Sequence, residues 1–308
     1  MNFAGRMNSF ILRGDKDLYD TIDTYHKVPG ITHLEFNYPE HIKKYDLEKI
    51  KEHIGDMKVN GVAMRFKAPF INGEFTNPDE KVRREAIDLC KEAIDVCREL
   101  KGEVVTVWQA YDGFDYPFSV NYEEAWEKMV SAFREICDYA ADDIKISIEY
   151  KPYEPRNYAM LDGAGTTLLM IKEVGRENLG MTLDICHMLM KHDNPAMYAA
   201  IALKQGKLFG LHLNDGYCAM DSGLIFGTVN LPQCIELVYY LKKYDYQGTL
   251  FFDTFPIREC VEAEVSQNIS MVKKISDAID KIGMDEIERI ISSHDGVEVN
   301  KLLMNMLI

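Results

Sequence analysis

Four acid or imidazole side chains stand at the same end of four apolar runs: Glu149 in KISIEY, Asp184 in GMTLDI, His212 in LFGLHLN and Asp253 in TLFFDTF. Each alone is ordinary, because a lone acid at a strand end commonly caps the next helix or faces water. Three carboxylates brought together out of water are costly unless a cation compensates them. Three carboxylates and one imidazole suit a single divalent ion, Mn²⁺ first, with Mg²⁺ or Co²⁺ also matched. They suit a structural Zn²⁺ less well, since it prefers Cys and His. Such an ion polarises carbonyl oxygens and acidifies the protons beside them.

Other polar groups lie close to these four along the chain. Lys151 follows Glu149 by two residues, so in an extended strand both side chains leave the same face. Beside a cation this lysine would polarise an oxygen or carry a proton, with a depressed pKa; the plainer alternative is a salt bridge to Asp184 or Glu149. His187, three residues after Asp184, is a candidate for acid/base work, for contact with a substrate oxygen or for a second cation. Asn214 and Asp215 follow His212 and would hold hydroxyls, with Asp215 alternatively orienting a ligand histidine. Trp108 ends an earlier run and offers a stacking face, while Arg65 and Asn37 end two more and would meet hydroxyls. Tyr111, Phe114, Tyr116 and Phe118 follow Trp108, either as further stacking faces or as a packed loop. The remaining histidines are expected away from this chemistry: His26, His41 and His53 on the outside, His33 early in its strand, His192 and His294 peripheral.

These side chains meet only if the elements bearing them converge. Eight β-rich runs cover residues 3–9, 32–37, 61–66, 104–109, 145–150, 180–185, 208–214 and 249–255. Between them, segments such as EKVRREAIDLCKEAIDVCREL carry apolar residues at three- and four-residue spacing. Asp17, Asp46, Asn77, Asn121 and Asn230 are placed to cap helices. Eight β-then-α units in series predict an α/β fold of the (β/α)8 TIM-barrel type, with its site at the carboxyl ends of the strands. An open doubly wound sheet is the alternative, and the dinucleotide-binding version of it lacks its GxGxxG after the first strand. Residues 1–283 are read as the barrel and 284–308 as a C-terminal helical extension that packs against a partner, caps the barrel or is solvated.

Bulk composition narrows the function class. The chain has 308 residues, 35 basic against 50 acidic and a net charge of −15. Without a basic stripe, nucleic-acid binding is not expected. Seven cysteines without a CxxC pair read as reduced thiols. No apolar run is long enough to span a bilayer, and the N-terminus lacks a cleavage-site pattern, so a cytoplasmic protein is expected.

The stretches ISIEYKP, TLDICH, LHLND and LFFDTFP resemble the xylose isomerase-like TIM-barrel superfamily of metal-dependent sugar isomerases and epimerases. The likeness implies metal-ligand roles for Glu149, Asp184, His212 and Asp253. The Glu-x-Lys pair and the loop histidine also resemble the rhamnose isomerase branch, whose two-metal members place an Asp-x-Asp after the seventh strand. Here MDSGLIFGTVN keeps Asp221 but has Gly223 at the second acid. One cation implies proton abstraction beside a carbonyl in place of a hydride shift.

Together AGRMNSF, VWQAYDGFDYPF, IEYKPYEPR, DICHMLMKH and MDSGLIFGTVN resemble the large α subunit of bacterial C-glycoside deglycosidases. That likeness implies cleavage of the carbon–carbon bond between a 3-oxo sugar and a flavonoid aglycone, and a small β-rich partner subunit. In such a reaction Lys151 and His187 would be the acid/base pair, in an order the sequence leaves open, with Trp108, Asn37, Arg65, Asn214, Asp215 and Asp221 contacting substrate. Two other readings stand beside it: isomerisation or epimerisation of a free sugar, and a noncatalytic sugar-binding subunit.

Overall fold

The computed structural model describes residues 1–307. Its centre is one sheet of eight parallel strands: β1 (Asn2–Gly5), β2 (His33–Tyr38), β3 (Lys58–Arg65), β4 (Val104–Trp108), β5 (Lys145–Glu149), β6 (Leu179–Asp184), β7 (Leu208–Leu213) and β8 (Thr249–Phe252). Each pairs with the next from β2 to β8, and β8 pairs with β1. The last seam is held by Thr32, whose N–H donates to the Phe3 carbonyl at 3.0 Å while its hydroxyl accepts from the Phe3 N–H at 2.9 Å. The expected (β/α)8 barrel is the observed fold.

The strands read as unbroken apolar runs because barrel strands are covered on both faces; β2 and β6 are buried along their whole length. The helices bury one stripe each. Glu80–Glu99 turns Ala86, Ile87, Cys90, Ala93, Ile94 and Cys97 inward at the spacing that a 3.6-residue period requires. All seven cysteines are free thiols. Among the described residues no helix is long and apolar enough to cross a membrane.

Several local expectations need correction. The first run, read as 3–9, stops at Gly5, and Asn8–Ile11 forms a single helical turn. Asp17, Asp46 and Asn121 accept hydrogen bonds from the first turns of their helices. Asn77 is not a cap; Asp79 caps the helix at Glu80–Glu99, and Asn77 braces the loop by donating to the Gly73 carbonyl at 2.7 Å. Asn230 precedes its helix but spends its amide on Asp215 and Gly216. His41 is buried, not external, between the Asn37 N–H at 2.9 Å and Asn8 at 2.8 Å.

After the helix Val261–Ile282, Gly283 separates off Met284–Ser293 and Gly296–Leu307. This extension lies on the barrel's own outer helices. Ile287 and Ile290 are buried, and Glu288 meets Tyr239 at 2.7 Å and Lys243 at 2.6 Å.

The close approach of β3 to β4 depends on Gly61, since a Cβ there would collide with the Val104 carbonyl oxygen. Backbone cannot move aside as a flexible side chain can. Gly61→Ala is expected to cost about 1–3 kcal/mol through overpacking, read as a lower urea midpoint with an unchanged denaturant slope.

Candidate metal centre

Glu149 and Asp184 are the last residues of β5 and β6, His212 is next to last in β7, and Asp253 follows β8 directly. The strand register brings Glu149 opposite Thr182, Asp184 opposite His212 and His212 opposite Phe251. One ligand atom from each of Glu149, Asp184, His212 and Asp253 therefore falls within 4.8 Å of the others, and all four residues are buried. His212 presents Nδ1 to the group, 3.2 Å from Glu149 Oε1 and 3.9 Å from Asp184 Oδ2.

The electrostatics are those of an acidic cage. Burial, reinforced by Asp221, Asp253 and Glu149, lifts the Asp184 carboxyl to about 7. Burial pushes the other way on His212, but Glu149, Glu35 and Asp253 raise it to about 10. Burial acts upward on Glu149, and the two imidazoles of His212 and His187 outweigh it, holding Glu149 near 2. Buried polar atoms rarely lack a hydrogen-bond partner. Among the described residues nine such atoms do, and five belong to this mouth: Arg6 Nε, Glu149 Oε2, His187 Nδ1, Asp221 Oδ1 and Asp253 Oδ1. Arg6 Nε and Asp253 Oδ1 lie 2.9 Å apart as an ion pair without hydrogen-bond alignment. The unpartnered carboxylate oxygens and the imidazole nitrogen, converging in buried positions, fit a divalent cation.

A second group shares Asp184 and adds His187 and Asp221. His187 turns Nε2 to Asp221 Oδ2 at 3.2 Å, and its Nδ1 lies 3.7 Å from Glu149 and 3.9 Å from Asp184. Lys151 reaches the same Asp221 oxygen at 3.1 Å and Glu154 at 3.0 Å. The lysine's expected depressed pKa and its expected pairing with Glu149 or Asp184 are both overturned. Burial acts to lower it, but Asp221 and Glu154 prevail and raise it. Burial likewise acts upward on Asp221, and His187 with Lys151 holds it well below the usual carboxylate range. A second carboxylate at 223 has no room. Gly223 has a positive φ of 54°, and any Cβ would run into the Phe255 ring, which stacks under the Arg6 guanidinium at 4.5 Å.

Not every side chain expected at the mouth reaches it. Trp108 does, with Arg65 and Lys151 each 5.5 Å from its ring. Arg65 lines the same cavity, which holds about 250 Å³. Asn214 is fully buried behind the ligands, donating to Asp184 Oδ2 at 2.9 Å and to the Asp253 carbonyl at 3.1 Å. It braces the Asp184 carboxylate and lies outside the cavity lining. Asp215 neither faces substrate nor touches a ligand. Its carboxylate accepts from the N–H groups of Gly216, Val229 and Asn230 and from the Asn230 amide, closing the loop after β7. Asn37 is buried outside the cavity lining, its N–H on His41. Phe114 stacks on Tyr158 at 5.1 Å in a small two-stranded ribbon, and Tyr116 and Phe118 point into solvent.

Three groups went unnoticed in the sequence. Arg6 pairs with Asp253 at 2.9 Å. It directly follows the true end of β1 and was hidden by drawing that strand to residue 9. Glu154 and Phe255 line the cavity from loops whose course no periodicity reveals.

The signature described as "Xylose isomerase-like TIM barrel" matches residues 19–275. The chain is 32% identical over 194 residues to the xylose isomerase of Thermus thermophilus, an alignment covering 61% of this chain and half the length of that protein. It superposes on a D-tagatose 3-epimerase-like protein with a TM-score of 0.71 at 22% identity, covering 91% of this chain and 99% of that one. The L-ribulose 3-epimerase structure gives 0.72 at 14% identity over 92% and 98% of the two chains. With eight parallel strands in barrel order and a signature spanning most of its length, the chain belongs to the xylose isomerase-like TIM barrel family.

Proposed function

We propose that this protein is a divalent-metal-dependent carbon–carbon lyase that releases a flavonoid-type aglycone from a 3-oxo-C-glycoside, working with a small β-rich partner subunit. Glu149, Asp184, His212 and Asp253 would hold one cation, Mn²⁺ or alternatively Mg²⁺ or Co²⁺. When bound, it supplies Lewis acidity toward a sugar carbonyl. The observation that carries the reading is the substitution around Gly223. Phe255 occupies the space of a second acid, and the ammonium of Lys151 already neutralises Asp221. One cation beside proton-carrying side chains favours deprotonation next to a ketone over hydride transfer.

The chain's own groups then divide the work. The proton on sugar C2 is acidic because C2 adjoins the 3-oxo group. Burial acts to lower His187, but without a cation Asp184, Asp221 and Glu149 prevail and raise it to about 9. A cation held by the cage would compensate those carboxylates, and the neutral imidazole, oriented by Asp221, takes that proton. The C2–H electron pair forms the C1=C2 double bond as the bond from C1 to the aglycone carbon breaks. Lys151, held charged by Asp221 and Glu154, donates a proton to the departing carbon. Trp108, backed by Arg65, gives a flat face for an aromatic aglycone. The buried positions of Glu149, Asp184, His187 and His212 limit the access of bulk water to the deprotonation.

Epimerisation or isomerisation of a free sugar is the second reading, favoured by the 32% identity to a xylose isomerase. It shares the first deprotonation and differs in where the proton returns: to a sugar carbon or oxygen, with no bond to an aglycone broken.

Metal analysis of purified protein is expected to give one ion per chain, and two would overturn the single-cation reading. Glu149→Gln should lose the metal and the activity together while keeping the far-UV circular dichroism of the parent; retained activity would show that the centre lies elsewhere. Metal-loaded protein, with and without the partner subunit, should release aglycone from a 3-oxo-C-glycoside, whereas turnover of free ketoses alone would exclude the lyase. In D₂O, His187→Gln is expected to slow exchange of the C2 proton by about 10²–10⁴-fold. Lys151→Met should keep that exchange and lose aglycone release, and the reverse pattern would swap the two roles.

A further inference from the structure

Glu35 lies in the middle of β2, buried inside the barrel, where nothing in the mouth's acid/base chemistry uses it. A buried carboxylate is costly unless its oxygens are matched. β2 and β3 slip by one residue at this point: Leu34 pairs with Val59 and Glu35 with Gly61, leaving Asn60 as the extra residue. Such a bulge re-aims side chains. Here Asn60 Nδ2 donates to Glu35 Oε2 at 2.6 Å. The other oxygen, Oε1, lies 3.8 Å from Nε2 of His212.

The two ring nitrogens of His212 therefore face different partners. Nδ1 looks to Glu149 and Asp184, and Nε2 looks to Glu35. Phe251 packs on the ring at 4.8 Å between centroids and limits its tilt. Of the acids paired with His212, Glu35 is the one whose closest approach is to Nε2; Glu149 and Asp184 approach closest at Nδ1. A histidine that binds metal through one nitrogen generally donates its other N–H to an acceptor, which fixes both tautomer and orientation.

We infer that Glu35 is a positioning residue for the metal ligand His212, holding the proton on Nε2 so that the Nδ1 lone pair is directed at the cation. The inference rests on the four-ligand centre and is independent of which sugar reaction that centre performs.

The test is calorimetric titration of Mn²⁺ into cation-stripped wild type, Glu35→Gln and Glu35→Leu, with the melting temperature of each stripped protein. Glu35→Leu is expected to bind Mn²⁺ about 10–100-fold more weakly. Its stripped form should melt at or above the wild-type temperature, because an apolar group replaces a buried charge. Glu35→Gln should recover most of the affinity, since an amide oxygen in that place also attracts the Nε2 proton. Equal affinity in wild type and Glu35→Leu would overturn the role. So would a Glu35→Leu protein that melts well below wild type while Glu35→Gln binds no better, which would make Glu35 a stability residue alone. Wild type that takes up no Mn²⁺ would overturn the centre itself, a failure distinct from these two.

Discussion

Like charges held close together and away from water set the terms for the whole mouth of this barrel. Glu149, Asp184 and Asp253 bring ligand atoms within 4.8 Å of one another and of His212, all in buried positions. Such a group persists in a folded protein only if positive charge is supplied. The chain supplies part of it through Arg6 on Asp253 and through the imidazoles beside Glu149. Several oxygens remain without a partner. The cage is thus built to be completed by something other than protein, and the barrel's rigidity keeps the carboxylates from relaxing apart.

Around that cage the mouth is organised by how each neighbouring group is spent. Asn214 and Asp215 are adjacent in sequence yet do different work: Asn214 locks a ligand carboxylate, and Asp215 ties down the loop that carries Asp221. Asp221 in turn gathers His187 and Lys151 at a single oxygen. That three-way contact puts a cation of the chain's own beside the centre, while Phe255 and Gly223 close the place where a further acid would stand. These loop residues, and not the strands, distinguish the surroundings of the centre. Fold alone does not separate one sugar chemistry from another.

The barrel and the convergence of its four strand-end side chains were legible in the sequence because both depend on local pattern. An apolar run of five or six residues followed by an amphipathic helix has few three-dimensional solutions when repeated eight times, and closure then makes strand ends converge. Lys151 was legible as a mouth residue by its two-residue offset from Glu149, but its partners were not. Its expected depressed pKa was wrong because Asp221 and Glu154 come from elsewhere in the chain and outweigh desolvation.

What pattern could not convey is which side chains are shared between loops that lie far apart along the chain. Arg6 and Asp253 are separated by almost the whole barrel and meet only because β8 pairs with β1. Asn37, Asn214 and Asp215 have the chemistry to bind hydroxyls, and tertiary packing turns the Asn37 amide to Glu40, the Asn214 amide to Asp184 and the Asp253 carbonyl, and the Asp215 carboxylate to loop N–H groups. Glu35 gave no sign in the sequence of its place beside His212, which depends on strand register and a one-residue bulge between β2 and β3. Residue order along the chain thus carried the periodicities that make strands, helices and a closed barrel. Partner choice, protonation and loop course depend on through-space distances set by strand register and closure, and these exist only once the chain is folded.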